Sequence, residues 1–114
     1  MRDDKERLCD ISEAIEKIEK YVSFGYQAFS EDERTQVWII HHLQMIGEAA
    51  NHLSDELTEC NKDIPWADIV GLRNILVHQY FGIDLKQVWE TAELDMPVLK
   101  TRICEILREI NNNN

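Results

Sequence analysis

Arg73-Asn74-Ile75-Leu76-Val77-His78-Gln79-Tyr80, introduced by Pro65-Trp66 and closed by Phe81-Gly82, is the stretch around which the chain is organised. A cation, an amide, an imidazole and a phenol crowd together inside an otherwise apolar run. Pro65 suits a first helical turn, where its missing N–H would have had no partner, and Gly82 suits the left-handed position just past a helix end. The pattern predicts one helix over residues 65–80. With Arg73 at zero and about 100° per residue, Tyr80 falls near −20°, Val77 near 40°, Asn74 near 100° and His78 near 140°. Ile69, Leu72, Ile75 and Leu76 fall at roughly 200° to 320°, a core stripe on the back of the same helix. One broad face is therefore expected to carry all the polar chemistry.

The flanking sequence reads as more helix. Residues 3–28 form an amphipathic stretch with Asp3 or Asp4 as N-cap and a seam of Leu8, Ile11, Ile15, Ile18 and Val22. Asp10, Glu13, Glu16 and Glu19 lie off that seam and read as a solvated face. Gly25 and Ser30-Glu31-Asp32 suggest a break, with Ser30 capping the next helix and Glu33 completing a capping box. That second helix, over about 31–53, carries Ile39, Leu43, Ile46, Ala50 and Leu53 beside a second stripe of Trp38, Met45 and Ala49, which predicts burial on two sides. A third, polar stripe holds His41, Gln44, Glu48 and Asn51, either a half-exposed face or a second wall of the Arg73 site.

Residues 54–64 read as a connection with about one helical turn at Asp55-Glu56-Leu57-Thr58. Asp84 is a natural N-cap, and Pro97 marks a new start or a kink. Leu99, Ile103, Ile106 and Ile110 give a last seam, and 111–114 should fray. With no period-two alternation and no hairpin signal, the expected class is all-α: an antiparallel four-helix bundle with an additional short helix, a single domain over 1–110.

The chain has 114 residues, 44% hydrophobic and 30% charged, the balance of a globular protein with one core. It has no apolar run long enough for a membrane span and no secretory leader pattern, so a cytoplasmic location is expected. Cys9, Cys60 and Cys104 are odd in number and widely spaced, which fits reduced thiols rather than a disulfide or zinc framework. The formal net charge of −10 weighs against broad nucleic-acid binding, which relies on clustered Lys and Arg. Any nucleic-acid contact must be local, and a basic partner would be drawn to such a surface.

Phosphate-loop, nucleophile-elbow and metalloprotease motifs are absent, and no cofactor signature appears. Glu48 and His52 are i,i+4 neighbours, but two ligands do not make a metal site. His41 and His42 point about 100° apart, poor geometry for joint ligation. Arg73 and His78 remain. An imidazole that moves the proton of a 2′-hydroxyl or of the leaving oxygen, with a guanidinium that stabilises the phosphorane, suffices for metal-free RNA cleavage. A single histidine cannot serve as both acid and base at once. A symmetric dimer that brings two copies of the helix together would supply both.

Arg73-Asn74-x-x-x-His78-x-Tyr80, in the setting Ile69-Val70-Gly71-Leu72, resembles the R-x4-6-H motif of the HEPN superfamily, and in particular the R-x4-H-x-Y version of the HepT-like toxins. The likeness extends to Met45-Ile46-Gly47-Glu48-Ala49-Ala50, Ile64-Pro65-Trp66 and Val88-Trp89. It implies a helical homodimer whose two motif helices line a shared cleft, acting as an endoribonuclease toxin on an RNA substrate in a type VII-like toxin–antitoxin pair. Arg73 and His78 would be catalytic, with Asn74 and Glu48 in support. It further implies a cognate MntA-like nucleotidyltransferase antitoxin that silences the toxin by AMPylation of Tyr80. The alternative is a non-catalytic helical module that binds a nucleotide or a partner protein in the same cleft, a reading favoured by the acidic balance.

Overall fold

The computed structural model describes residues 3–75 and 84–112. Residues 76–83, which include His78 and Tyr80, lie outside that set, as do residues 1–2 and 113–114. Among the described residues every regular element is helical, as the all-α class requires.

Helix α1 (Asp4–Val22) starts at Asp3, whose carboxylate accepts the Glu6 N–H at 2.9 Å. Its seam residues Leu8, Ile11, Ile15 and Ile18 are completely buried. The helix is shorter than the expected 3–28. A turn intervenes, with Gly25 at φ 92, a conformation that only glycine adopts without strain. A separate α2 (Tyr26–Glu31) follows.

Asp32, not Ser30, caps α3 (Glu33–Asn51): its carboxylate accepts the Arg34 N–H at 3.0 Å and the Thr35 hydroxyl at 2.9 Å. Ser30 turns back instead to donate to the Gln27 carbonyl at 2.9 Å. The aspartate wins because it stands directly before the helix, within reach of the unpaired N–H groups. The buried amide of Gln36 closes the corner, donating to the carbonyls of Phe29 and Ser30 at 2.9 and 3.2 Å.

The main stripe of α3 is buried as expected, but the second stripe is not: Trp38 and Met45 are 37% and 45% exposed, and only Ala49 is covered. Trp38 leans on Tyr21, ring centroids 5.4 Å apart, and donates from Nε1 to the Lys17 carbonyl at 3.2 Å. The His42 ring lies against it as well, centroids 4.5 Å apart, and the rest of the indole faces solvent.

Ser54 caps α4 (Asp55–Cys60), the short turn expected in the connection, and Asp4 of α1 accepts both its N–H at 2.9 Å and its hydroxyl at 2.6 Å. The stretch expected as one helix over 65–80 is shorter. Helix α5 (Trp66–Gly71) tightens into a 3₁₀ turn over Leu72–Asn74, and Ile75 is extended at φ −69, ψ 123.

Asp84 then caps α6 (Leu85–Glu90), accepting from the Lys86 and Gln87 N–H groups at 3.1 and 3.2 Å. A π-helical segment (Thr91–Asp95) leads into α7 (Met96–Asn112). Pro97 sits just beyond it. Its ring would crowd the carbonyl of Glu93 in a regular α-turn, and a widened turn relieves that crowding without ending the helix. Asn111 and Asn112 are helical rather than frayed.

Glu19 and Glu16, expected to be solvated, hold Lys100 of α7 at 2.8 and 3.8 Å. The hydrogen bond from Lys100 to Glu19 raises the lysine pKa and ties α1 to α7.

The backbones of α3 and the α5 segment approach each other closely at Gly47. A Cβ built on Gly47 would stand 2.5 Å from the Arg73 amide nitrogen, 2.9 Å from the Ile69 carbonyl oxygen and 3.1 Å from that of Val70. All three are backbone atoms, which cannot rotate away. Gly47→Ala is therefore expected to destabilise the fold by about 1–3 kcal/mol, the usual range for overpacking. Gly71→Ala, where nothing lies within 4 Å of the added carbon, should be neutral or stabilising by up to about 1 kcal/mol. Paired urea titrations of the two variants measure the difference.

Candidate functional site

The segment that carries Arg73 is fixed at its base before it reaches the site. Arg102 of α7 donates from Nε to Asp63 at 2.8 Å and from Nη2 to Asn61 and Asp63 at 3.1 and 3.2 Å. This contact lowers the Asp63 pKa and raises that of Arg102. Trp66 Nε1 donates to the Asn61 carbonyl at 3.0 Å, and Asn61 Nδ2 donates to the Leu57 carbonyl at 2.9 Å. Helix α5 thus begins from a turn pinned on two sides.

Its far end docks on α3 at successive turns. Gln44 donates from Nε2 to the carbonyl of Ile75, the residue where the helix has already opened. Gly47 admits the Arg73 backbone. Glu48 meets the Arg73 side chain, Nη1 to Oε2 at 3.7 Å. Positions 44, 47 and 48 share one side of a helix at i, i+3 and i+4. The polar stripe of α3 is thus the wall against which Arg73 rests.

Of the residues singled out from the sequence, the structure brings Arg73 and Glu48 together. The two side chains are 40% and 56% exposed, so the guanidinium is held yet open to solvent. Asn74 does not share that position. It lines a cleft of about 1210 Å³ between α5 and the α6–α7 rod, together with Asp68, Gln87, Thr91 and Asp95. The expectation of one face for all the polar groups fails here, because the helix tightens at Leu72 and ends before Ile75. His78 and Tyr80, expected as catalytic base and modified phenol, lie outside the described residues.

One partner was missed in the sequence. His52 Nε2 lies 2.9 Å from Glu48 Oε1, on the oxygen that Arg73 leaves unused. The i,i+4 spacing was visible, but its link to Arg73 was not. His41 and His42 take no part in this contact. His42 is buried, its Nδ1 2.8 Å from the Trp38 carbonyl. Burial lowers its pKa, the bond with Trp38 offsets part of the shift, and His41 and Lys17 lower it further. Among the described residues, no three His, Cys, Asp or Glu side chains gather as a metal-ligand set.

Residues 11–106 match the family model described as ribonuclease HepT-like. A "probable ribonuclease HepT" of Thermococcus cleftensis is 37% identical, over 87% of this chain and 91% of the relative. A candidate RNase of Methanocaldococcus jannaschii is 34% identical, over 90% and 94% of the two chains. A candidate RNase of Caldanaerobacter subterraneus is 33% identical, over 81% and 82%. No solved structure matches the chain.

The two polar contacts to α3 should differ in what they contribute to the fold. Gln44→Leu leaves the Ile75 carbonyl without its amide donor and is expected to cost about 1 kcal/mol. Glu48→Gln weakens only a half-exposed ion pair, worth roughly 0.2–1 kcal/mol. Thermal melts of the two variants, compared with the parent chain, measure the order.

Proposed function

The chain belongs to the ribonuclease HepT-like family, and on that premise we propose that it is a toxin that cleaves RNA without a metal ion. Arg73 and His78 are the catalytic pair, in a cleft shared by two copies of the chain. The imidazole of one copy takes the proton of the 2′-hydroxyl as its oxygen attacks phosphorus. The imidazole of the other gives a proton to the 5′-oxygen as the P–O bond breaks. Arg73 stabilises the charge that develops on the phosphorane, and Asn74 and Glu48 support its placement.

The observation that carries this reading is the hold on Arg73. Its backbone is locked against Gly47, while among the described residues its side chain meets a loose, half-exposed carboxylate partner. A structural arginine satisfies its fork in a fixed network, as Arg102 does with Asp63 and Asn61. The Arg73 side chain is instead 40% exposed, which leaves its guanidinium within reach of an incoming phosphate.

Tyr80 is the control point in this reading. A small nucleotidyltransferase encoded beside the toxin transfers AMP from ATP to the phenol oxygen, releasing pyrophosphate. The added phosphate occupies the place of the RNA phosphate and pairs with Arg73, so the block is both steric and electrostatic.

Arg73→Ala and His78→Ala are each expected to abolish RNA cleavage and relieve growth arrest, with helical circular dichroism and melting temperature nearly unchanged. Loss of folding in both would point to a structural role instead. Cleavage should persist in EDTA, and sedimentation should show a dimer at micromolar concentration. Co-expression with the neighbouring nucleotidyltransferase should raise the mass of the chain by AMP units, and Tyr80→Phe should prevent it. An adduct mapped to Tyr21 or Tyr26 would contradict the assignment. RNA left intact beside a bound nucleotide would favour the non-catalytic module.

A further inference from the structure

Glu48 is a flexible side chain on an exposed helix face, and a carboxylate in that setting does not keep one orientation unaided. Here each of its oxygens has a separate partner. Oε1 meets His52 Nε2 at 2.9 Å, a full hydrogen bond, whereas Oε2 meets Arg73 Nη1 at 3.7 Å, a looser ion pair. The tighter contact sets where the carboxylate stands.

His52 is well placed to impose that position. It closes α3, with its N–H bonded to the Ala49 carbonyl at 3.1 Å. It is followed by the buried Leu53 and by Ser54, which Asp4 of α1 holds through both its N–H and its hydroxyl. The backbone beneath the imidazole is thus fixed to two other parts of the fold. Many exposed i,i+4 pairs only decorate a helix. This one differs because the far oxygen of the same carboxylate reaches the guanidinium of another element.

We propose that His52 is a positioning residue for Arg73, acting through Glu48: an imidazole–carboxylate–guanidinium relay that orients the phosphate-binding fork. The catalytic part of this inference rests on the ribonuclease reading. The relay itself does not. Glu48 meets the guanidinium at one nitrogen, as an ion pair at 3.7 Å, and the Arg73 side chain remains 40% exposed, open to an arriving phosphate.

His52→Ala is expected to lower kcat on RNA three- to tenfold with little change in KM, since the fork is misplaced rather than lost. His52→Gln, which keeps a donor near Oε1, should restore most of the rate. In a Glu48→Ala background the His52→Ala change should have no further effect. Full activity of His52→Ala, or an equal loss with and without Glu48, would overturn the proposal.

A second readout needs no activity. The side-chain Nε–Hε resonance of Arg73 in a ¹⁵N–¹H NMR spectrum should move in His52→Ala, and should not move when the same change is made in the Glu48→Ala background. An unmoved resonance in His52→Ala overturns the relay. If the parent chain cuts no RNA, the ribonuclease reading fails, and the NMR arm still decides whether His52 holds Arg73 through Glu48.

Discussion

The docking of the Arg73 segment on α3 turns on the absence of a single carbon atom. Where α3 crosses the end of α5, Gly47 lets the backbone at Ile69, Val70 and Arg73 come within the space that any other residue's Cβ would fill. In a regular helix interior glycine costs about 0.5–1 kcal/mol relative to alanine. Close backbone approach offsets that cost. It brings Gln44 within reach of a main-chain carbonyl and Glu48 within reach of a guanidinium, two contacts that a wider spacing would lose.

That crossing also explains why the helix stops where it does. At Ile75 the chain leaves helical geometry after one 3₁₀ turn, and the carbonyl exposed by the departure is taken by Gln44. A helix end needs a partner for its last carbonyls. Here the partner comes from another helix, not from a glycine in left-handed conformation. Arg73 and Asn74 consequently part company, one toward α3 and the other into the cleft beside α6.

Much of this was legible in the sequence, and the rest was hidden for definable reasons. The α1 seam, the Asp3 and Asp84 caps and the last seam follow from local spacing and residue type, and the structure has them. The end of the helix at Ile75 was invisible because its partner, Gln44, lies 31 residues away. Trp38 and Met45 were expected inside, because periodicity shows that a face is apolar but not whether a neighbour exists to cover it. Glu48 was singled out on the polar stripe, and Arg73 on the motif. Their meeting depends on Gly47, whose mid-helix position reads locally only as a cost.

The ion pairs that fasten the bundle shape the field around it. Lys100 and Arg102 spend their charge on carboxylates of other elements, and the chain as a whole remains at −10. A polyanion approaching a chain of this net charge meets a repulsive long-range field. Raising the ionic strength from 0.01 to 0.15 M shortens the range of that repulsion from about 30 to about 8 Å. The encounter rate of this chain with a polyanion therefore rises with added salt, the reverse of a basic nuclease drawn in by long-range attraction.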